Sequence, residues 1–536
     1  PRSTMHRMML RSCLALAIGL LASTAAAADC PALQVRHPQG NYIVPGVKGD
    51  IPYSGDLALD AYVQRDGTSR PSVVVIHGGE WTSGSRTAHV GQLLELVTGA
   101  GYNWFSVDYR LAGLAGIDAS LDDLRSAVAF IRCHARDFGI DGRRLVLLGE
   151  DSGAHLAALL ATERPAGVVG AILIGGYYDL SHVAAAAADP ALLARATPQV
   201  RPAMMPILVV HGGDDTEAPP ETAVGYCDLV SGAGGQCRYV EVRGASHRSE
   251  NWYPSQWHYK QEIAAWLAAT SGVPLRAVRP PAAGPLRKNI LYNPSTGLRL
   301  DAFAPPKAAA PVPAVIVVHG GGWEAGDKVT YVTPIFAPLA TAGLAWFSID
   351  YRLTPAATNA DQLEDLRRAI AFVRAQHARY NIDPARIFLL GESASGQMVA
   401  QIAAEDSGLA GVVSFYGIYD FEAMVTDASP RSLLARLFRR TVLDDAARAV
   451  MRRYSPLHQA HVGMPPLLLV NGTGERLWAQ AQAYAARLQE LGINHEVIAI
   501  DGAPHGMENW EGHPEWMLYK ERVTDWILRV ARRPGV

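Results

Sequence analysis

The sequence has little excess of charge of either sign. Its 48 basic and 51 acidic side chains leave a formal net charge of −3, charged residues make up only 18%, and no long Lys/Arg run occurs. That balance argues against a nucleic-acid or polybasic membrane surface. Past the N-terminus there is no apolar run near the ~20 residues that a spanning helix needs. Cysteine is scarce, five in 536 residues, and no CxxC or Cys/His spacing suggests a metal site. Apolar residues are plentiful at 49%, which excludes disorder for the chain as a whole. At roughly 100–250 residues per domain, the length implies at least two domains.

The first residues read separately. Arg7 and Arg11 precede an apolar run from Cys13 to Leu21, and small residues Ala25 to Ala28 follow. A positive flank, a short apolar core and an A-x-A end predict a secretory signal peptide over residues 5–28. Asp29, immediately before Cys30, does not suit a lipoprotein site. The expected location is therefore periplasmic or secreted. Cys13 would leave with the signal, and Cys30, Cys133, Cys227 and Cys237 remain. Cys227 and Cys237 bracket a Gly-rich turn, which allows a local disulfide with Cys30–Cys133 as the remainder; four buried thiols is the alternative.

Self-similarity sets the architecture. His77-Gly78-Gly79-Glu80-Trp81 returns as His319-Gly320-Gly321-Gly322-Trp323, an offset of 242. Asp108-Tyr109-Arg110-Leu111 returns as Asp350-Tyr351-Arg352-Leu353, and Leu147-Leu148-Gly149-Glu150 as Leu389-Leu390-Gly391-Glu392, at the same offset. By His247 and His505 the offset has grown to 258, because Asp179 to Asp215 spans 36 positions in one copy and Asp420 to Glu475 spans 55 in the other. Ser271 to Lys288, rich in Pro, Ala and Gly, reads as the linker. The expected organisation is one domain over 29–270, a linker over 271–288 and a second domain over 289–536. Short β-branched runs such as Val73–Ile76 and Val315–Val318 alternate with segments of helical periodicity such as 123–134 and 364–377. Such alternation predicts two tandem α/β domains, each a mostly parallel sheet flanked by helices.

The second copy carries a nucleophile constellation. The strand Ile387–Leu390 runs into Gly391-Glu392-Ser393-Ala394-Ser395-Gly396, a G-x-S-x-G-like elbow with Ser395 in the place of the second Gly. Upstream, the His319-Gly320-Gly321-Gly322 run offers backbone N–H groups to a developing oxyanion. Downstream, Glu475 stands just past the strand Leu467–Val470, and His505 follows Val497–Ile500. The chain order serine, acid, histidine suits a base (His505) that activates Ser393 and a carboxylate (Glu475) that orients the imidazole.

On these motifs both halves resemble α/β-hydrolases of the hormone-sensitive-lipase-like and bacterial feruloyl/acetyl-xylan esterase group, over nearly all of the mature chain. The resemblance implies carboxylic-ester hydrolysis through an acyl-serine, with no metal or organic cofactor. It also implies an oxyanion hole at Gly321, Gly322 and Ala394. The family acid is usually Asp, where this chain has Glu475. The Asp420–Glu475 stretch would form a partial cap, with Phe421, Met424, Leu437 and Trp478 available to line a pocket.

The first copy looks disarmed. The offset carries Ser393 onto Asp151 and Gly322 onto Glu80, where a carboxylate would oppose an oxyanion, while Asp215 and His247 stand where acid and base belong. The leading reading is a catalytically degenerate domain; Asp151 or Ser152 as a nucleophile are the alternatives. For the whole chain the expectation is an exported serine esterase acting on a small-molecule or polysaccharide-linked ester. A prolyl-oligopeptidase-type serine peptidase and a non-catalytic binding protein are the competing classes.

Overall fold

The duplicated strand pattern closes into two sheets of the same plan. The computed structural model describes residues 30, 32–34, 47–64, 71–253, 256–273, 284–306, 310–425, 432–440, 442, 444–511 and 515–532. The first sheet holds β1 (Val47–Ser54), β2 (Leu57–Tyr62), β3 (Ser72–Ile76), β4 (Asn103–Val107), β5 (Leu145–Glu150), β6 (Val168–Ile174), β7 (Ile207–Gly212) and β8 (Cys237–Val242). The second holds β9 (Leu286–Asn293), β10 (Leu298–Phe303), β11 (Val312–Val318), β12 (Ala345–Ile349), β13 (Ile382–Glu392), β14 (Gly411–Phe415), β15 (Leu467–Gly472) and β16 (His495–Ile500). The strand orders are β1-β2-β4-β3-β5-β6-β7-β8 and β9-β10-β12-β11-β13-β14-β15-β16. The pairs β1–β2, β2–β4, β9–β10 and β10–β12 are antiparallel; the rest are parallel, with helices in the crossovers.

Period-2 alternation explains the layering. Val74 and Ile76 face one apolar cluster confined to the first half, while Val73 and Val75 face another. Ile316 and Val318 face a cluster of the second half, while Val315 and Val317 join Val73 and Val75. The shared cluster makes one continuous core across the two halves and includes Trp104, Trp346 and Trp526. Tyr253 stacks on Phe336 at 6.0 Å and donates its hydroxyl to Asp301 of the second half. The contacts repeat with the duplication: Thr333 Oγ1 donates to the Glu250 carbonyl at 2.6 Å, and its counterpart Gly91 lies against the Glu508 carbonyl, where a Cβ would meet the oxygen at 2.0 Å.

The periodic segments become the helices Ile117–Cys133 and Asn359–Ala375, each starting earlier than its periodicity. The Thr358–Asp361 capping box supplies the reason in the second half. The predicted signal peptide lies outside the described residues. Of the predicted linker, 274–283 lie outside them too; the helix before it ends at Ser271 and β9 starts at Leu286. Cys30 is joined to Cys133 and Cys227 to Cys237, with Cα separations of 5.9 and 5.3 Å. Among the described residues no helix is long and apolar enough to cross a membrane.

Candidate active site

The elbow follows from backbone crowding. At the end of β13, Ser393 is held at φ 56°, ψ −116°, and the helix Ala394–Ala403 begins at once. Positive φ in a non-glycine residue costs about 1–3 kcal/mol, so the packing around it must hold it there. Gly391 is obligatory, because a Cβ would meet the Ser395 carbonyl at 2.4 Å. Ser395 is tolerated where the pattern has glycine because its hydroxyl bonds the Val318 carbonyl at 2.7 Å and is itself buried.

Two later loops bring the partners to this serine. Ser393 Oγ lies 2.9 Å from His505 Nε2, and His505 Nδ1–H donates to Glu475 Oε2 at 2.5 Å. The Glu475 side chain is 4% exposed and the His505 ring 42%, so the relay runs from the protein interior to solvent. Asn471, at the end of β15, donates to the other carboxylate oxygen of Glu475 at 2.8 Å. The histidine loop is fixed from behind: Asn509 Nδ2 donates to the His505 carbonyl at 2.8 Å, and Tyr416 lies 4.6 Å from its ring.

The glycine loop is braced by the second shared motif. Tyr351 stacks on His319 at 4.3 Å, and its hydroxyl donates to the His319 carbonyl at 3.1 Å. Gly320 N–H donates to Glu392 at 2.5 Å. Burial pushes the Glu392 carboxyl up to about 8, with the Gly320 N–H opposing. Gly321 and Gly322 then follow at φ 92° and 62°; a Cβ on Gly321 would meet the Ala325 carbonyl at 2.2 Å. Gly322, Ser393, Ala394 and His505 border a cavity of about 540 Å³, walled by Trp323, Ile418, Met424, Leu433 and Leu477.

Of the four apolar residues expected to line it, Met424 does. Phe421 and Leu437 are instead fully buried in the core of the second half, and Trp478 packs against that core. Phe421 is held there by ring contacts to Trp323 and Phe438. Sequence reasoning did not single out Asn471, Tyr416, Leu433, Arg476 or Leu477. Arg476 adjoins Glu475, which it did select, and Asn471 stands four positions before Glu475 at the end of β15; that proximity is the signal that was available.

In the first half the same elbow carries Asp151 at φ 56°. Its carboxylate turns back onto the glycine loop: Oδ2 accepts from Gly79 N–H at 2.7 Å and from Glu80 N–H at 3.3 Å. His247 Nδ1–H donates to Asp215 at 2.8 Å, and His247 Nε2 lies 3.4 Å from Asp151 Oδ1. Burial alone pulls His247 down, but bonds to the two carboxylates outweigh it and push the imidazole up to about 10. Burial likewise opposes ionisation of Asp151, yet His247, the Gly79 N–H and Arg248 hold it below the usual carboxylate range. Glu80, expected to oppose an oxyanion, instead points away from the glycine loop's N–H groups. The matching Gly322 has nothing within 4 Å of a Cβ, so a side chain here projects outward, and Glu80, 59% exposed, meets Arg248 at 3.2 Å. Ser152 is fully buried. The cavity beside Asp151 is only about 10 Å³.

Two other features lie outside this constellation. A cavity of about 610 Å³ sits between the halves, where Lys260 pairs with Glu95 and Lys520 with Glu511. Asp420, Glu422 and His458 bring three potential ligand atoms within 4.8 Å of one another on the surface, and Glu422 is already paired with Arg452.

A mostly parallel sheet with a serine at the strand-to-helix elbow, and with acid and histidine on later loops, defines the α/β-hydrolase class. Within that class the chain belongs to the BD-FAE family, whose model matches residues 59–171 and 300–488. A Mycobacterium tuberculosis protein named probable carboxylic ester hydrolase LipM is 28% identical over 205 residues, covering 35% of this chain and 47% of its own length. Probable isoprenylcysteine alpha-carbonyl methylesterase ICMEL1 of Arabidopsis thaliana is 27% identical over 245 residues, 41% of this chain and 51% of its own. The chain thus spans about half the length of these curated relatives. A solved truncated carbohydrate esterase from gut microbiota is similar over 48% of this chain and 100% of its own, at 20% identity and TM-score 0.42.

Proposed function

We propose that the second half is a serine carboxylic-ester hydrolase that works through an acyl-serine, and that the first half is catalytically silent. The observation that carries this reading is the Ser393–His505–Glu475 relay, at 2.9 and 2.5 Å, opening onto a cavity large enough for an ester. His505 takes the Ser393 proton as Oγ attacks the ester carbonyl, and Glu475 holds the ring and stabilises the imidazolium. The N–H groups of Gly321, Gly322 and Ala394 receive the oxyanion. His505 returns the proton to the leaving alcohol, and water hydrolyses the acyl-serine by the same route. The substrate is a small-molecule or polysaccharide-linked ester, and the protein is exported; the two disulfides support an oxidising compartment.

The test is labelling of the intact protein with a fluorophosphonate probe, followed by mass spectrometry of the peptides. The adduct is expected on Ser393, with loss of p-nitrophenyl acetate turnover in step with labelling. An adduct on Ser152, or turnover that survives complete labelling of Ser393, would move the chemistry elsewhere.

A further inference from the structure

The pocket beside Ser393 is apolar on its walls but carries one uncommitted charge. Of the charged side chains that border it, Glu475 is engaged by His505 and Asn471. Arg476, the next residue, is exposed at the pocket, and no described carboxylate pairs with it. Three other arginines of the same stretch, Asp420 to Arg476, are occupied: Arg436 pairs with Glu324 at 2.7 Å, Arg452 with Glu422, and Arg439 donates to the Ala356 carbonyl at 2.7 Å. The sequence that carries Met424, Leu433 and Arg476 is also basic in net terms. From Asp420 to Arg476 there are eight arginines and six carboxylates, a net +2 in a chain whose total is −3. The corresponding position of the silent half is Thr216.

We infer that Arg476 is a specificity-determining residue, selecting esters that bear a carboxylate away from the scissile bond. The inference rests on the esterase reading and names its substrate class. A guanidinium presents a planar fork of donors that matches a carboxylate and stays charged at any working pH. With the apolar walls taking the carbon skeleton and Glu475 turned to His505, the free charge on this wall favours an anionic group. The positive stretch around it would also draw such a substrate toward the pocket.

The experiment compares kcat/KM for three esters in the wild-type protein, Arg476→Gln and Arg476→Lys. The esters are neutral p-nitrophenyl butyrate, mono-p-nitrophenyl glutarate with the carboxylate on the acyl side, and 4-carboxyphenyl butyrate with it on the alcohol side. The readout is the anionic-to-neutral ratio. Arg476→Gln is expected to lower that ratio about fivefold for the glutarate ester, the phenyl ester or both, as loss of one partly solvated ion pair allows. The change should lie mainly in KM, shrink in high salt, and be partly restored by Arg476→Lys. Which ester responds tells on which side of the scissile bond the carboxylate sits. An unchanged ratio for both anionic esters, with butyrate turned over normally, would overturn the role of Arg476. No turnover of any ester by the wild type would overturn the esterase reading, and this inference with it.

Discussion

Positions 151 and 393 sit on matching elbows, both at φ 56°, and differ in the reach of their side chains. Ser393 places one hydroxyl against His505 and leaves the glycine loop facing an open cavity. Asp151 is one atom longer and bears two oxygens, so it touches His247 with one and Gly79 and Glu80 N–H with the other. Its carboxylate therefore occupies the N–H groups that, in the second half, we assign to an ester's oxyanion. On the reading proposed above, the Asp151 carboxylate acts as an internal ligand that blocks the first half. Asp215 and His247 hold that carboxylate: a cationic His247 between Asp151 and Asp215 makes a buried ion cluster. Retained catalytic-looking residues need not signal retained catalysis.

The largest expected effect separates the halves outright. Ser393→Ala is expected to lower kcat for p-nitrophenyl acetate by roughly 10⁶-fold, the scale seen when a triad nucleophile is removed. Stopped assays on purified variant, with folding checked by circular dichroism, decide it. Substantial residual turnover would mean that the first half works and that the contrast drawn above is false.

Much of this contrast was legible before any coordinates. The 242-residue offset mapped each elbow onto its counterpart, and β-branched runs marked the central strands because such strands are buried on both faces. Ser393, Glu475 and His505 were legible by chain order, since each follows a parallel strand and all such loops emerge at one edge of the sheet. What stayed hidden depends on direction in space. Glu80 seemed set to oppose an oxyanion, but whether a side chain at positive φ points inward depends on neighbours that sequence does not place. Phe421 and Leu437 lie on a stretch of short helices whose apolar residues face either the core or the pocket, and no periodicity separates the two.

A smaller effect tests the ion cluster through stability. His247 has a folded value near 10, above its ordinary 6.5, so its contribution is whole below about 6.5 and is lost as pH rises toward 10. His247→Gln leaves Asp151 and Asp215 buried without their cation, at a cost of several kcal/mol. At pH 6.5 the variant is expected to melt several degrees below the wild type. At pH 10 that gap should narrow, because the wild-type imidazole is then losing its proton. A gap that is constant with pH, or that widens, would show His247 to be neutral in the fold. Esterase turnover at temperatures well below either melt should remain that of the second half.

The smallest expected effect is a null, and it asks whether the internal ligand is the whole lesion. In a Ser393→Ala background, Asp151→Ser combined with Glu80→Gly restores the serine and the glycine while keeping Asp215 and His247 in place. If blockage by the carboxylate were the only defect, hydrolysis of p-nitrophenyl acetate would return. The space argues otherwise: the cavity there is about 10 Å³, against about 540 Å³ beside Ser393. Trading Asp for Ser frees at most about one water's share of volume, ~30 Å³, too little for an acetyl ester with its aryl group. His89, Arg248 and Glu250 wall the site, and Arg248 also holds Glu80 on its outer side. Turnover by the folded double variant is therefore expected to equal that of the Ser393→Ala parent. Any clear gain would show that the wall opens on its own, leaving Asp151 as the single feature that silences the first half.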